Sequence, residues 1–174
     1  MIILNKNEFD EAIEKYKIDK SLSIKVQLKQ LLKIKYQGKL LNIGNIYDAF
    51  FSRDSVKEYV YPANRRIAQD ALNAKKDIAT ELKQLVMSAK YIDTKENSKI
   101  NDGSQFDYFE IEFGINNEGD ITVYKGVLNI KISNRGRPTF YDITKIKKSS
   151  GTNGSKTAST ASNNNISKKY YDVK

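Results

Sequence analysis

Between Phe106 and Ile115 the side chains alternate. Phe109, Ile111, Phe113 and Ile115 fall on one side, and Tyr108, Glu110 and Glu112 on the other. A period of two marks a half-buried strand, because successive side chains leave a strand on opposite faces. Asn116–Gly119 then reads as a turn and Ile121–Ser133 as a second strand, in which Gly126 marks a bulge. A second turn at Asn134, Arg135 and Gly136 leads into a third strand over Thr139–Ile146. Consecutive strands joined by tight turns form an antiparallel meander, and Lys90–Asp93 is expected to add a short strand. The greasy face of such a sheet needs a cover, so the upstream residues must supply helices. The expected fold is therefore α+β: N-terminal helices packed on one face of a C-terminal meander of about four strands, followed by a flexible polar tail.

The upstream pattern supplies that cover. Asn7–Lys17 predicts a helix, with acids in its first turn and Phe9, Ala12, Ile13 and Tyr16 on one face. Leu22–Tyr36 fits two templates. Leu22, Ile24, Val26 and Leu28 alternate like a strand, whereas Leu28, Leu31, Leu32 and Lys35 suit a helix. The reading adopted is a strand or extended arm running into a short helix. Ser52–Tyr61 is a helical unit capped by Ser52 and ended by Pro62. One long helix is expected over roughly 64–87, where Ile67, Ala71, Ala74, Ile78, Leu82, Leu85 and Val86 recur at helical steps. The expected division is an N-terminal segment over 1–44, an α+β domain over 45–148 and a low-complexity linker with a basic tail over 149–174.

Composition narrows the chemistry. The chain has no Cys and no His, which removes thiol nucleophiles, disulfides and the commonest acid–base and metal-binding side chain. A carboxylate site for magnesium stays formally open; no metal and no cofactor is expected. The formal charge of +9 favours phosphate-bearing partners. Residues 147–174 hold six Lys against one Asp, so much of that excess lies at the C-terminal end. No apolar run approaches the ~20 residues of a membrane helix, and the opening lacks the pattern of a signal peptide. A cytoplasmic protein with no membrane contact is expected.

Three clusters are candidates for function. On the outer sheet face, Glu110, Glu112, Asn129 and Lys131 form a polar surface where a carboxylate could accept a 2′-hydroxyl proton and a cation steady the phosphate; the same residues suit cross-strand salt bridges. The helix start bearing Ser52, Arg53, Ser55 and Lys57 offers N–H groups, hydroxyls and cations to a phosphate, and Arg65 and Arg66 form a second, weaker candidate. Arg135 and Arg137 place two cations on a hairpin tip. Tyr108, Tyr124 and Tyr141 lie in strands, where they can stack on bases or pack in the core.

The order SRDSVKE, LVMSAKYI, FDYFEIEF, GVLNIKIS and TFYDITKIK resembles the large polyvalent protein-associated domains of phages and integrative elements. Those domains are similar to the barnase, EndoU, colicin-tRNase and RelE-like group of RNase folds. The resemblance spans roughly residues 45–148, and its best-matched motif is Phe140–Lys147. It implies a helix pair on a four-stranded antiparallel sheet with a nuclease-like groove on the open face. By position it assigns Arg53, Lys57 and Lys131 to the phosphate and Tyr141 or Glu110 to acid–base work. RelE-like members act through Arg, Lys and Tyr; many others in the group use a His that this chain lacks. The leading expectation is an RNase-like domain from a phage or mobile element, binding RNA rather than DNA and cleaving it, if active, without metal. The alternatives are a non-catalytic binding module, such as an inhibitor of a host nucleic-acid-dependent defence, and a toxin C-terminal domain with an immunity partner.

Overall fold

The computed structural model describes residues 1–63 and 65–149. In chain order the elements are β1 (Ile2–Asn5), α1 (Glu8–Lys15), α2 (Ile24–Lys35), β2 (Leu40–Ile43), β3 (Tyr47–Phe50), α3 (Arg53–Val60), α4 (Gln69–Thr80), α5 (Leu82–Met87), β4 (Lys90–Glu96), β5 (Gln105–Asn117), β6 (Asp120–Ile132) and β7 (Pro138–Lys148). The chain is thus mixed α and β, as the sequence pattern requires. The expected tail lies outside the described residues, save Ser149.

The strands form one curled sheet in the order β1-β5-β6-β7-β3-β2. It has seven strands where about four were expected. The strands β4, β5, β6 and β7 pair antiparallel in succession. The addition comes from the N-terminal third. Strand β1 lies parallel on β5 at Phe113–Asn116, beyond the stretch that β4 occupies on the same edge. Strands β2 and β3 form a hairpin that joins β7 through Phe50 and Thr139. The curl brings Tyr47 of β3 to Asp107 of β5, a 2.6 Å hydrogen bond, although β6 and β7 separate those strands in sheet order. At the hairpin turn, Gly44 has φ +58°, and a Cβ there would sit 2.6 Å from the Ala89 carbonyl oxygen. Only glycine fits that approach.

The helices cover the face that carries Phe109, Ile111 and Phe113, all buried. One core runs from Leu4 and Phe9 through Leu28, Leu32, Tyr59, Ile78 and Leu85 to Phe140 and Ile143. The boundary expected at 44/45 therefore falls inside a hairpin turn, and residues on both sides of it share that core.

Two helical expectations are corrected. The stretch over 24–35 is helix throughout: the Ser23 hydroxyl accepts the Val26 N–H at 3.3 Å, and the buried positions Gln27, Leu28, Leu31 and Leu32 follow a helical stripe. Tertiary burial of that stripe outweighs the local alternation of Leu22, Ile24 and Val26. The single long helix is two, broken at Glu81. The Tyr36 phenol enters the break, donating to the Ala79 carbonyl at 2.6 Å and accepting the Leu82 N–H at 3.2 Å. Lys35 donates to the Thr80 carbonyl at 2.6 Å. Groups freed by the break thus find partners at the C-terminal end of α2 and its cap. Among the described residues, no helix is long and apolar enough to cross a membrane.

Candidate nucleic-acid interface

The outer face of the sheet is built from cross-strand rows. Lys95, Phe106, Lys131 and Thr139 stand in register across β4, β5, β6 and β7. The next register row runs Asp93, Tyr108, Asn129 and Asp142, of which Asn129 and Asp142 are buried. Strands lie about 4.8 Å apart, so Phe106 has a lysine-bearing backbone on each side at that spacing. Between the rows, Ile130 faces Phe140 while Asn129 faces Asp142, which leaves Tyr141 as the extra residue of a bulge. Its ring meets Phe106 edge-on, with centroids 5.1 Å apart, and Phe106 stacks on Tyr108 at 6.2 Å. The result is a half-buried aromatic patch, Phe106, Tyr108 and Tyr141, bordered by Lys95 and Lys131.

The patch is held from behind by a buried charge cluster. Asp142 is fully buried and takes a 2.8 Å hydrogen bond from Lys75 of α4, itself buried, and a second from Arg65. Lys75 also donates to the Tyr59 carbonyl at 2.7 Å, and its ammonium lies 4.5 Å from the Tyr59 ring centroid. Burial pushes the Asp142 carboxyl up and the Lys75 ammonium down, each opposed by the other's charge. This cluster fixes α4 and Arg65 to the bulge of β7, and so sets where Tyr141 stands.

The phenols at the surface stay protonated in the physiological range. Burial, then Asp93 and Tyr141, push Tyr108 up to about 12. Burial, then Glu58 of α3, which accepts its hydrogen bond, raises Tyr141. The β7 cation Lys145 is lowered by burial and by the neighbouring charges of Lys147 and Lys95, which places it within electrostatic reach of the lysine bordering the patch. Lys145 sits at φ +54°, at the register shift opposite Gly126. The bulge expected at Gly126 is there, with the additional residue on β7.

The hairpin tip extends the patch. Arg135 and Arg137 are exposed at the β6–β7 turn, just beyond the Lys131–Thr139 pair. A Cβ on Gly103, in the β4–β5 connection, would lie 3.4 Å from the Asn134 side chain. The two loops therefore meet at the end of the sheet where Phe106 lies.

Other candidates fall elsewhere. Ser55 is buried, its hydroxyl donating to the Phe140 carbonyl and completing a capping box with Ser52. It joins α3 to β7 and does not present its hydroxyl to a phosphate, contrary to the expectation from sequence. Ser52 is half-buried as the cap of α3. Arg53 and Lys57 are exposed on α3; the residue of that helix that reaches Tyr141 is Glu58. Arg66 is exposed in the segment before α4, whereas Arg65 is committed to Asp142. Glu110 and Glu112 flank Lys125, at 3.7 Å and 3.3 Å from its ammonium, and Lys125 is 1% exposed. The salt-bridge alternative describes that end of the face. Glu110 is in register with Val127, four residues from Lys131 along β6, or about 13 Å. Glu110 and Lys131 thus do not share one locus. Tyr124 lies on the helix-covered face, stacked on Phe113 with centroids 5.5 Å apart.

Phe106, Lys95 and Glu58 escaped the sequence reading. Phe106 opens the alternating run that located β5, but its partners depend on pairings with β4 and β7 that no local pattern encodes. No protein-family model, curated protein or solved structure matches the chain.

Proposed function

We propose that this protein is a single-stranded RNA-binding module that works through the outer face of its sheet. Bases stack on Phe106, Tyr108 and Tyr141, while Lys95, Lys131, Arg135 and Arg137 meet the phosphates. The observation that carries this reading is the row in which Phe106 stands between Lys95 and Lys131 in register. Aromatic faces interleaved with cations suit a single strand, because every base offers a π-face and every linkage a charge. A duplex hides those base faces, so unpaired RNA is the better ligand.

The reading is one of binding without cleavage. Of the groups expected from the resemblance, Arg53 and Lys57 lie on α3 and Glu110 in the middle of β5, whereas Lys131 and Tyr141 lie at the patch. Glu110, the expected base, is engaged with Lys125.

Fluorescence anisotropy of a labelled single-stranded RNA tests the proposal. Phe106→Ala should weaken binding by about tenfold, within the range for loss of one stacked base. Lys131→Ala and Lys95→Ala should each lower affinity and reduce the salt slope by ~0.7. Unchanged affinity in all three variants would move binding away from this face. RNA incubated with the protein in EDTA should stay intact; specific fragments ending in a cyclic phosphate would restore the ribonuclease reading.

A further inference from the structure

A second site lies on the opposite, helix-covered side of the sheet. A cavity of about 250 Å³ opens between α4 and the ends of β5, β6 and β7, lined among others by Lys6, Asp70, Asn73, Asp77, Tyr124 and Lys148. Asp77 is 4% exposed, and its Oδ1 has no hydrogen-bond partner. A buried carboxylate without a donor is costly, and folded proteins rarely leave one so. The other buried acid among the described residues, Asp142, shows the usual solution, with a lysine, an arginine and the Ile143 N–H all serving it.

The lining identifies the missing partner. Asp70 and Asp77 of α4 line the cavity together with Tyr124, so two carboxylates and an aromatic ring share it. Tyr124, stacked on Phe113 at 9° between ring planes, makes one wall flat and rigid. Two carboxylates beside an aromatic face suit an organic cation. Lys6 and Lys148 bring opposite charge to the same cavity, and so suit an anionic group on the same ligand.

We propose that this cavity binds a small zwitterion, a free amino acid with a cationic side chain, its ammonium or guanidinium against Asp77 and its carboxylate against Lys6 and Lys148. This inference is independent of RNA binding, which uses the other face. The charged groups acting on Asp77 are Lys76 of its own helix, Lys6 after β1, and Asp10 and Glu8 of α1. Burial raises its pKa to about 6, so the carboxylate is charged and available at neutral pH.

Calorimetric titration of the full chain with L-arginine at neutral pH tests the assignment. Arginine should bind, while agmatine, which lacks the carboxylate, and citrulline, which lacks the side-chain charge, should bind at least ~10-fold more weakly. Asp77→Asn should lose arginine binding while its thermal melt stays cooperative and no lower than that of the parent. Lys6→Ala should weaken arginine but leave agmatine unchanged. The proposal is overturned if citrulline matches arginine, if a nucleoside monophosphate binds as tightly, if the folded Asp77→Asn variant keeps its affinity, or if arginine gives no heat up to ~10 mM.

Discussion

Two buried acids separate structural from unspent charge. Asp142 is surrounded by donors, and removing Lys75 leaves its buried carboxylate with only the half-exposed Arg65 and the Ile143 N–H. Lys75→Met is expected to cost about 3–5 kcal/mol, and adding Asp142→Leu should restore much of it, because a buried pair replaced together is often close to neutral. Urea denaturation of the three variants checks the cycle; equal losses in the single and double variants would mean that the pair contributes net stability. Asp77 behaves in the opposite sense. Its pKa rises from 3.8 to about 6 on folding, so between those values the folded state holds a proton that the unfolded state has released. Stability from this group is therefore greatest below pH ~4, falls as the pH rises toward 6, and levels off above. Asp77→Asn abolishes that fall. Compared with the parent, the variant should gain on the order of 1–2 kcal/mol between pH 4 and pH 7. Parallel curves across that interval would show that Asp77 is not desolvated.

At the scale of elements, the break between α4 and α5 was the feature least visible in sequence. Ile67, Ala71, Ala74, Ile78, Leu82 and Leu85 keep helical spacing through it, and neither Gly nor Pro interrupts the run. The cause lies at the C-cap of α2, where the Tyr36 phenol bonds both Ala79 and Leu82 across the break. A side chain more than forty residues upstream in sequence sets that geometry, so no local window contains the signal. Tyr36→Phe leaves the buried Ala79 carbonyl and Leu82 N–H without this partner, and should cost about 1–3 kcal/mol. Thermal denaturation measures the loss, and an unchanged Tm would show that the two backbone groups find other partners. By contrast α3 was readable to within a residue or two, because Ser52, Ser55 and Pro62 mark both ends chemically.

For the whole molecule, the long strands were legible because each is half-buried and so alternates, whereas β1, β2 and β3 have only four residues each and offer too short a pattern to count. For the same reason the candidate interface could be assigned to a face from sequence but not to a row, since the register across strands decides which aromatic meets which lysine. The short strands nonetheless decide whether the N-terminal third is a separate lobe. Leu4, fully buried, lies on β1 opposite Ile115, 111 residues downstream. The N-terminal third therefore reports on the stability of the entire core rather than on a lobe of its own. Leu4→Ala should cost about 2–5 kcal/mol and lower the melting of α-helix and aromatic signals together, in one transition. An independent lobe predicts something different: residues 45–148 would keep their parent melting point while a first, smaller transition moves down. Circular dichroism at far- and near-ultraviolet wavelengths separates the two outcomes, because the patch aromatics Phe106, Tyr108 and Tyr141 all lie outside the first 44 residues. Coincident loss at both wavelengths ties the interface to β1, through β5, the strand they share.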